Sequence, residues 1–190
     1  MKQLKSLPLL LLAALLLSAC QIPSLQKTVV GSNQVLSEDR AVTTIDAVEM
    51  RGFGKLIITQ GDRETLSVEA EDNLLPYLVT HMRGTTLVIR QKTLFSFKTD
   101  RPIVFRLTVR SLERLKLSGF SQAEIAGLRA GSLEVELNDF SQMSIAGLEA
   151  RDFTARVSGF SQLDAAGVVQ SAAVETRESA VYQHAGLEVR

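Results

Sequence analysis

The chain has one cysteine, no tryptophan, two histidines and no surplus of either charge. Each shortage closes off a class of function. A lone thiol, Cys20, allows no intrachain disulfide and no thiolate metal cluster. His81 and His184 stand far apart in the chain and support no Ser-His-Asp order, so both read as structural or exposed. Aromatics make up 5% of the chain, too few for base-stacking platforms or broad sugar-stacking surfaces. The 21 basic residues match the 21 acidic ones, and without a basic excess nucleic acid is not an expected partner. What remains is 190 residues with 45% hydrophobic content, enough for one domain with a real core.

The first residues form an address. Lys2 and Lys5 precede an apolar run from Leu7 to Leu17, broken only by Pro8. That length suits the apolar core of a signal peptide and is too short to span a bilayer. The run ends in Leu17-Ser18-Ala19-Cys20, which resembles the lipobox of bacterial lipoproteins. The resemblance implies removal of residues 1–19, acylation of Cys20 and a membrane held through the lipid anchor. Two or more acyl chains hold stably where one holds marginally. Gln21 stands where Asp would signal inner-membrane retention, which by the enterobacterial sorting rule favours the outer membrane. Residues 20–40 are polar and without a sustained period, and read as the lipidated Cys followed by a tether. Val29, Val30, Val35 and Leu36 allow a short strand at its end.

From residue 41 a period of two takes over. Strands are expected at Val42–Val48, Leu56–Gln60, Thr65–Ala70, Leu78–Met82, Thr86–Arg90 and Ile103–Val109, the last leading into the repeats. Gly52 and Gly54 mark a turn or bulge around Phe53, Asp72–Tyr77 a single helical turn, and Lys92–Pro102 a mixed loop. The class is all-β.

Residues 113–190 repeat. Ser118-Gly119-Phe120-Ser121-Gln122 returns as Asn138-Asp139-Phe140-Ser141-Gln142 and Ser158-Gly159-Phe160-Ser161-Gln162, each followed by an Ala-Gly pair, at a spacing of 20 residues. A degraded copy ends at Ala185-Gly186. Such a period suits a β-solenoid, a parallel β-helix with ~20-residue coils, whose coils stack about 4.8 Å apart. Stacking turns equivalent positions into rows. Leu115, Val135, Ala155 and Val174 make one inward row, and Leu117, Leu137, Val157 and Thr176 the next. Between them Lys116, Glu136, Arg156 and Glu175 alternate in sign, as does Arg114 over Glu134; opposed like charges would destabilise, and opposite ones help by roughly 0.2–1 kcal/mol each. Further rows are Ala123, Met143, Leu163, Tyr182; Ile125, Ile145, Ala165, His184; and Leu128, Leu148, Val168, Leu187. A leucine-rich repeat also tolerates this period, and Leu112-Glu113-Arg114-Leu115-Lys116-Leu117 fits it. Ser132 and Asp152 at the Leu112 position, and Phe at the expected Asn, do not.

Three stretches resemble a known family in order. They are Arg51-Gly52-Phe53-Gly54-Lys55-Leu56-Ile57-Ile58-Thr59-Gln60-Gly61, then Glu71-Asp72-Asn73-Leu74-Leu75, then Gly84-Thr85-Thr86-Leu87-Val88-Ile89. With the Ser-Gly-Phe-Ser-Gln repeats they look like the auto-transporter adhesin head domain, or head GIN domain, over residues 41–190. The resemblance implies a right-handed parallel β-helix exported to the envelope and no established reaction. Phe in three corners and a short last repeat depart from the family pattern.

The rows offer several candidate sites, each with a plainer reading. Phe120, Phe140 and Phe160 read as a buried corner stack rather than an exposed strip, because burial of each stabilises by roughly 1.5–3 kcal/mol. Gln122, Gln142 and Gln162 read as a hydrogen-bonded ladder that could also serve as a surface strip. Glu124, Ser144 and Asp164 form an outward row whose two carboxylates stand two coils, about 10 Å, apart. An inverting glycosidase needs about 6.5–9.5 Å and a retaining one about 5 Å. No calcium cluster, metal site or cofactor motif stands out. Gly127, Gly147, Gly167 and Gly186 lack the helix that a phosphate cradle needs. The expected protein is a lipid-anchored, non-catalytic envelope β-helix with adhesin-like binding or scaffolding. The alternatives are an envelope carbohydrate-active enzyme and a self-associating structural domain.

Overall fold

In the computed structural model, residues 26–183 and 186–190 are described, and nearly all of their regular structure is strand. The strands are β1 (Lys27–Val30), β2 (Val35–Arg40), β3 (Ala47–Gln60), β4 (Thr65–Glu71), β5 (Leu78–Arg83), β6 (Thr86–Gln91), β7 (Phe95–Lys98), β8 (Val104–Val109), β9 (Arg114–Ile125), β10 (Leu128–Leu137), β11 (Gln142–Val157), β12 (Gln162–Thr176), β13 (Val181–Gln183) and β14 (Leu187–Val189). A single 3-10 turn, Leu75–Tyr77, carries Pro76 in its first turn, inside the Asp72–Tyr77 segment where the sequence places a helical turn. β1 and β7 pair with each other, and the other twelve strands form one mixed sheet.

Consecutive repeats pair in parallel at the expected offset. Val135 lies beside Leu115 and Ala155, and Leu137 beside Leu117 and Val157. Met143 lies between Ala123 and Leu163, and Ile145 between Ile125 and Ala165. These inward rows from Leu115 to Ala165 are buried and join one continuous core. His184 and Ala185 fall outside the described residues, so the last position of one row is not placed. Another row needs correcting. A bulge between Ile145 and Leu148 sets two residues of β11 against one of β12, so Leu148 lies beside Gly167 rather than Val168. Val169 takes the buried position instead. The step of 19 residues begins here, one corner earlier than the sequence suggests.

The largest departure is β3. It is one continuous strand of 14 residues, not two strands about a turn. Positive φ at Gly52 and Gly54, 110° and 124°, bends the strand without interrupting its pairing. Its register with β9 runs from Ala47 beside Arg114 to Ile58 beside Ile125, with Gly52 on Gly119 and Phe53 on Phe120. The segment is another copy of the repeat, separated from the rest by an insertion. On its other side β3 pairs in parallel with β6 and β8. Residues 103–109 lead into the repeats along the chain, as expected, but are not their neighbour in the sheet; β3 lies between β8 and β9. The antiparallel strands β4 and β5 then close this end, β4 on β8 and β5 on β6.

Residues 41–46 are irregular rather than extended, because Ile45 enters the core while its N–H is donated to Glu64 Oε1 at 3.0 Å. The tether reading also needs correcting. β2 adds to β4 antiparallel, and β1 runs parallel to β7 inside the stretch read as a loop. Three side chains hold the turn between β1 and β2. Glu71 accepts the Asn33 N–H at 2.7 Å, Asp72 accepts from the Ser32 hydroxyl, and Asn73 spans Ser32 N and Val30 O at 3.1 and 2.7 Å. Residues 27–40 are thus part of the folded domain.

At each Phe corner the backbone adopts positive φ, by Gly119 (79°), Asp139 (66°) and Gly159 (74°). Neighbouring repeats are also close there: a Cβ on Gly159 would come within 2.6 Å of Asp139 O. Strain and collision act together, so Gly159→Ala should lower unfolding free energy by about 2–3 kcal/mol, read from denaturant midpoints at unchanged slope. A loss under about 0.5 kcal/mol, the range of ordinary surface substitutions, would mean that the corner relaxes freely.

Candidate binding face

The corners turn the alternation over in an unexpected sense. Leu117 and Ala123 point inward on either side of the corner, and so does Ser121, not Phe120. Ser121, Ser141 and Ser161 are 0%, 0% and 1% exposed, whereas Phe120, Phe140 and Phe160 are 66%, 48% and 65% exposed. The expectation of a buried Phe stack is wrong. A tight corner has room inside for a hydroxymethyl group and not for a ring. Two of the serines also satisfy a backbone carbonyl of their own turn: Ser121 Oγ donates to Ser118 O and Ser141 Oγ to Asn138 O, both at 2.8 Å. Ser141 and Ser161 hydroxyls lie 3.2 Å apart across the repeats.

The rings stack on the outside. Centroids are 4.9 Å apart for Phe120 and Phe140 and 5.2 Å for Phe140 and Phe160, with planes within 8°. That spacing is close to the strand spacing, so the pairing of the strands sets the stack. Because the planes are parallel to one another, the ridge shows mainly ring edges to solvent and keeps the inner ring faces between neighbours. Phe53 continues the register but packs edge-on against Phe97 at 5.4 Å. Tyr77 follows, 6.2 Å from Phe97 and 4.6 Å from Phe95, with Lys92 Nζ 5.7 Å from its ring centre.

Beside the ridge runs the amide row. Gln122, Gln142 and Gln162 lie on adjacent strands, and Gln122 Nε2 donates to Gln142 Oε1 at 3.4 Å. Lys55 extends this row beside Gln122. Glu124, Ser144 and Asp164 form the next outward row. Together with Met143 the two rows line a shallow groove of about 180 Å³. Lys55 Nζ pairs with Glu124 at 2.6 Å, and Glu124 and Asp164 are separated by Ser144, so these two carboxylates stand two strands apart, wider than glycosidase spacing. Among the described residues no three His, Cys, Asp or Glu side chains gather as a metal site. His81, on β5 beside Val88, joins neither row. Cys20 lies outside the described residues.

A second face carries the alternating charges. Lys116 Nζ meets Glu136 at 2.7 Å, and Arg156 reaches diagonally to Glu134 at 2.5 Å. Arg114 lies beside Glu134, yet its guanidinium pairs with Glu113 at 3.8 Å. The row has a further member that the sequence conceals: Glu49, beside Lys116, is 6% exposed. Burial pushes the Glu49 carboxyl up, but Arg51 and Arg83 outweigh it and hold it below the ordinary value. Arg51 Nε donates to it at 2.6 Å and Arg83 Nη2 at 2.7 Å. Hydrogen bonds from Lys116 and Asn138 hold Glu136 low as well.

Spacing alone does not place Phe53, Lys55 and Glu49 in these rows, because the 20-residue interval is lost at the insertion. The shared Gly-Phe of Gly52-Phe53 and Gly119-Phe120 is the signal that finds them.

The scaffold is an all-β repeat protein that displays lines of like side chains on its outer surface. The chain belongs to the family described as "Putative auto-transporter adhesin, head GIN domain", whose profile matches residues 45–190. A crystal structure described as "a putative adhesin" from Bacteroides fragilis is similar at TM-score 0.80 and 17% identity, over 84% of this chain and 74% of that one. A structure described as "Putative lipid binding protein" from Parabacteroides distasonis is similar at TM-score 0.50 and 16% identity, over 86% and 100%. At these identities the likeness is one of fold. Among curated proteins none matches in sequence.

Two outcomes follow from the inverted corner. Phe160→Ser should lower stability by no more than about 1 kcal/mol, the worth of its one exposed ring contact. Ser141→Leu, which forces volume into the corner, should lower it by about 2–3 kcal/mol. Equal losses in urea titrations would place the ring inside after all. For Glu49 and Glu136 the folded-state values lie below those of the unfolded chain. Their contribution is therefore present above the unfolded carboxylate value and lost as pH falls through the folded one. Unfolding free energy should decline below about pH 4.5, and less steeply in Glu49→Gln; parallel pH profiles would remove Glu49 as a source.

Proposed function

We propose that this protein is an exported, lipid-anchored, non-catalytic component of the cell envelope that acts by adhesin-like binding or scaffolding. In this reading Cys20 carries the acyl chains, the outer membrane is the favoured location, and the repeats wind as a right-handed parallel β-helix. The observation that carries it is the uncommitted outer face: three stacked, exposed Phe rings beside a Gln row, on a rigid stack of strands. An exposed aromatic line of this kind is uncommon on a monomeric surface unless something contacts it. Family membership favours an envelope location, and among the described residues no helix is long and apolar enough to cross a membrane.

The enzymatic alternative lacks a convergent group of ionisable side chains on this face, since Glu124 is paired with Lys55 and Asp164 stands apart from it. The anchor and the absence of catalysis are tested together. Cys20→Ala should release the protein from membranes or leave the precursor uncut, and the wild-type chain should liberate no reducing ends from envelope glycans. Unchanged membrane fractionation of Cys20→Ala overturns the anchor, and glycan turnover overturns the non-catalytic reading.

A further inference from the structure

We infer that the aromatic ridge is a membrane-seating surface: Phe120, Phe140 and Phe160 enter the headgroup boundary of the bilayer that holds the chain, so that the domain lies along the membrane instead of standing off it. This rests on the envelope reading above and names the partner of its binding face.

The shape of the ridge favours a fluid apolar partner. It sits on a corner, so it projects instead of enclosing. Its rings mostly offer edges, whereas a sugar stacks on ring faces, and both faces of Phe140 and the inner faces of Phe120 and Phe160 are turned to neighbouring rings at 4.9 and 5.2 Å. At their observed exposures the three rings offer roughly 350 Å² of accessible area, taking about 200 Å² per ring. That is well short of the roughly 800 Å² per partner in a stable protein interface.

The flanks agree. Ser118, Asn138 and Ser158 border the ridge on one side and Gln122, Gln142 and Gln162 on the other, all uncharged hydrogen-bonding groups. The one ionised residue at the corner, Asp139, turns its carboxylate to the Gly119 N–H at 2.9 Å. Aromatic residues bordered by uncharged polar groups are suited to the interface between headgroups and acyl chains.

The line of aromatics also leads to the anchored end. Phe53, in register with Phe120, touches Phe97, and Tyr77 bridges Phe97 to Phe95. β1 pairs along this strand, with Lys27 beside Phe95 and Val29 beside Phe97. The six-residue step from Cys20 to Gln26 reaches at most about 20 Å when extended, so an acylated Cys20 keeps this end near the bilayer. Lys27 and Lys98 stand at the two ends of the β1–β7 pair and Lys92 lies over the Tyr77 ring, and cations on this side of the domain attract anionic headgroups. A lipid anchor and an interfacial aromatic patch are two weak signals that combine.

The absence of tryptophan supplies the probe. Full-length Phe140→Trp and, as a control, Arg129→Trp on the strand beyond the Ala126-Gly127 corner would each carry the chain's only indole. Each is purified and incorporated into vesicles of phosphatidylethanolamine with a minority of phosphatidylglycerol, with or without brominated acyl chains. Emission of the Phe140→Trp variant should shift to the blue and fall about twofold with brominated lipid, while that of Arg129→Trp stays unquenched. Equal quenching in both variants, or none in Phe140→Trp, overturns the proposal. A blue shift in Phe140→Trp that follows protein concentration without lipid also overturns it, by assigning the ridge to a second copy. Intact mass reports separately whether Cys20 is acylated; if it is not, the chain is added to preformed vesicles and the ridge is read in the same way.

Discussion

One constraint organises the molecule: equivalent residues must sit one strand spacing apart along the stack. At that distance a side chain meets its own kind or its complement, and little else fits. Inward positions trade volume between repeats, as Ala123, Met143 and Leu163 do. On one outer face the charges alternate from Glu49 to Glu175 because repeated charges of one sign would repel. Phe rings separated by about the strand spacing stack face to face, and Gln122 bonds to Gln142 along the amide row. The corner serine is small, and at Ser121 and Ser141 it bonds to its own turn, since a larger group could not repeat at that spacing inside a tight bend.

The same constraint creates the problem of ends. A parallel stack leaves an unpaired strand at each end, and such edges invite pairing with other chains. The chain handles one end by leaving the stack after β3, building β4 and β5 as antiparallel cover, laying β6 and β8 on β3, and then crossing over β3 to resume with β9. β2 extends the cover, and the Glu71-Asp72-Asn73 clasp fixes it. The other end is managed differently: β13 and β14 are three residues each, and Arg177 and Glu175 pair along the last edge.

How much of this the sequence shows depends on spacing. Rows from Leu115 to Ala165 are legible because a fixed interval and in-register pairing leave one solution. The charge row is legible for the same reason, down to the opposition of Lys116 and Glu136. β3 is not, since the insertion after Gln60 hides the interval although Gly52-Phe53 keeps the motif. The direction of Phe120 is not legible either, because burial energetics favours the ring inside; corner volume, which alternation alone does not report, decides otherwise. The clasp is invisible as well: Glu71, Asp72 and Asn73 look like ordinary turn formers until the Val30–Gln34 segment is seen against them.

Parallel in-register stacking makes lines of like groups more readily than gatherings of unlike ones. A reaction centre needs an acid, a base and a binding group brought to one point from different directions, which a repeat supplies only where it is broken. A line of identical rings and amides is suited to a partner that has no fixed register of its own. A bilayer surface meets that description: it presents the same boundary everywhere, tolerates a ridge in any rotation about its normal, and accepts ring edges without asking for a shaped pocket. In the membrane-seating proposal the buried serine corners hold the three rings on one line so that they enter such a boundary together.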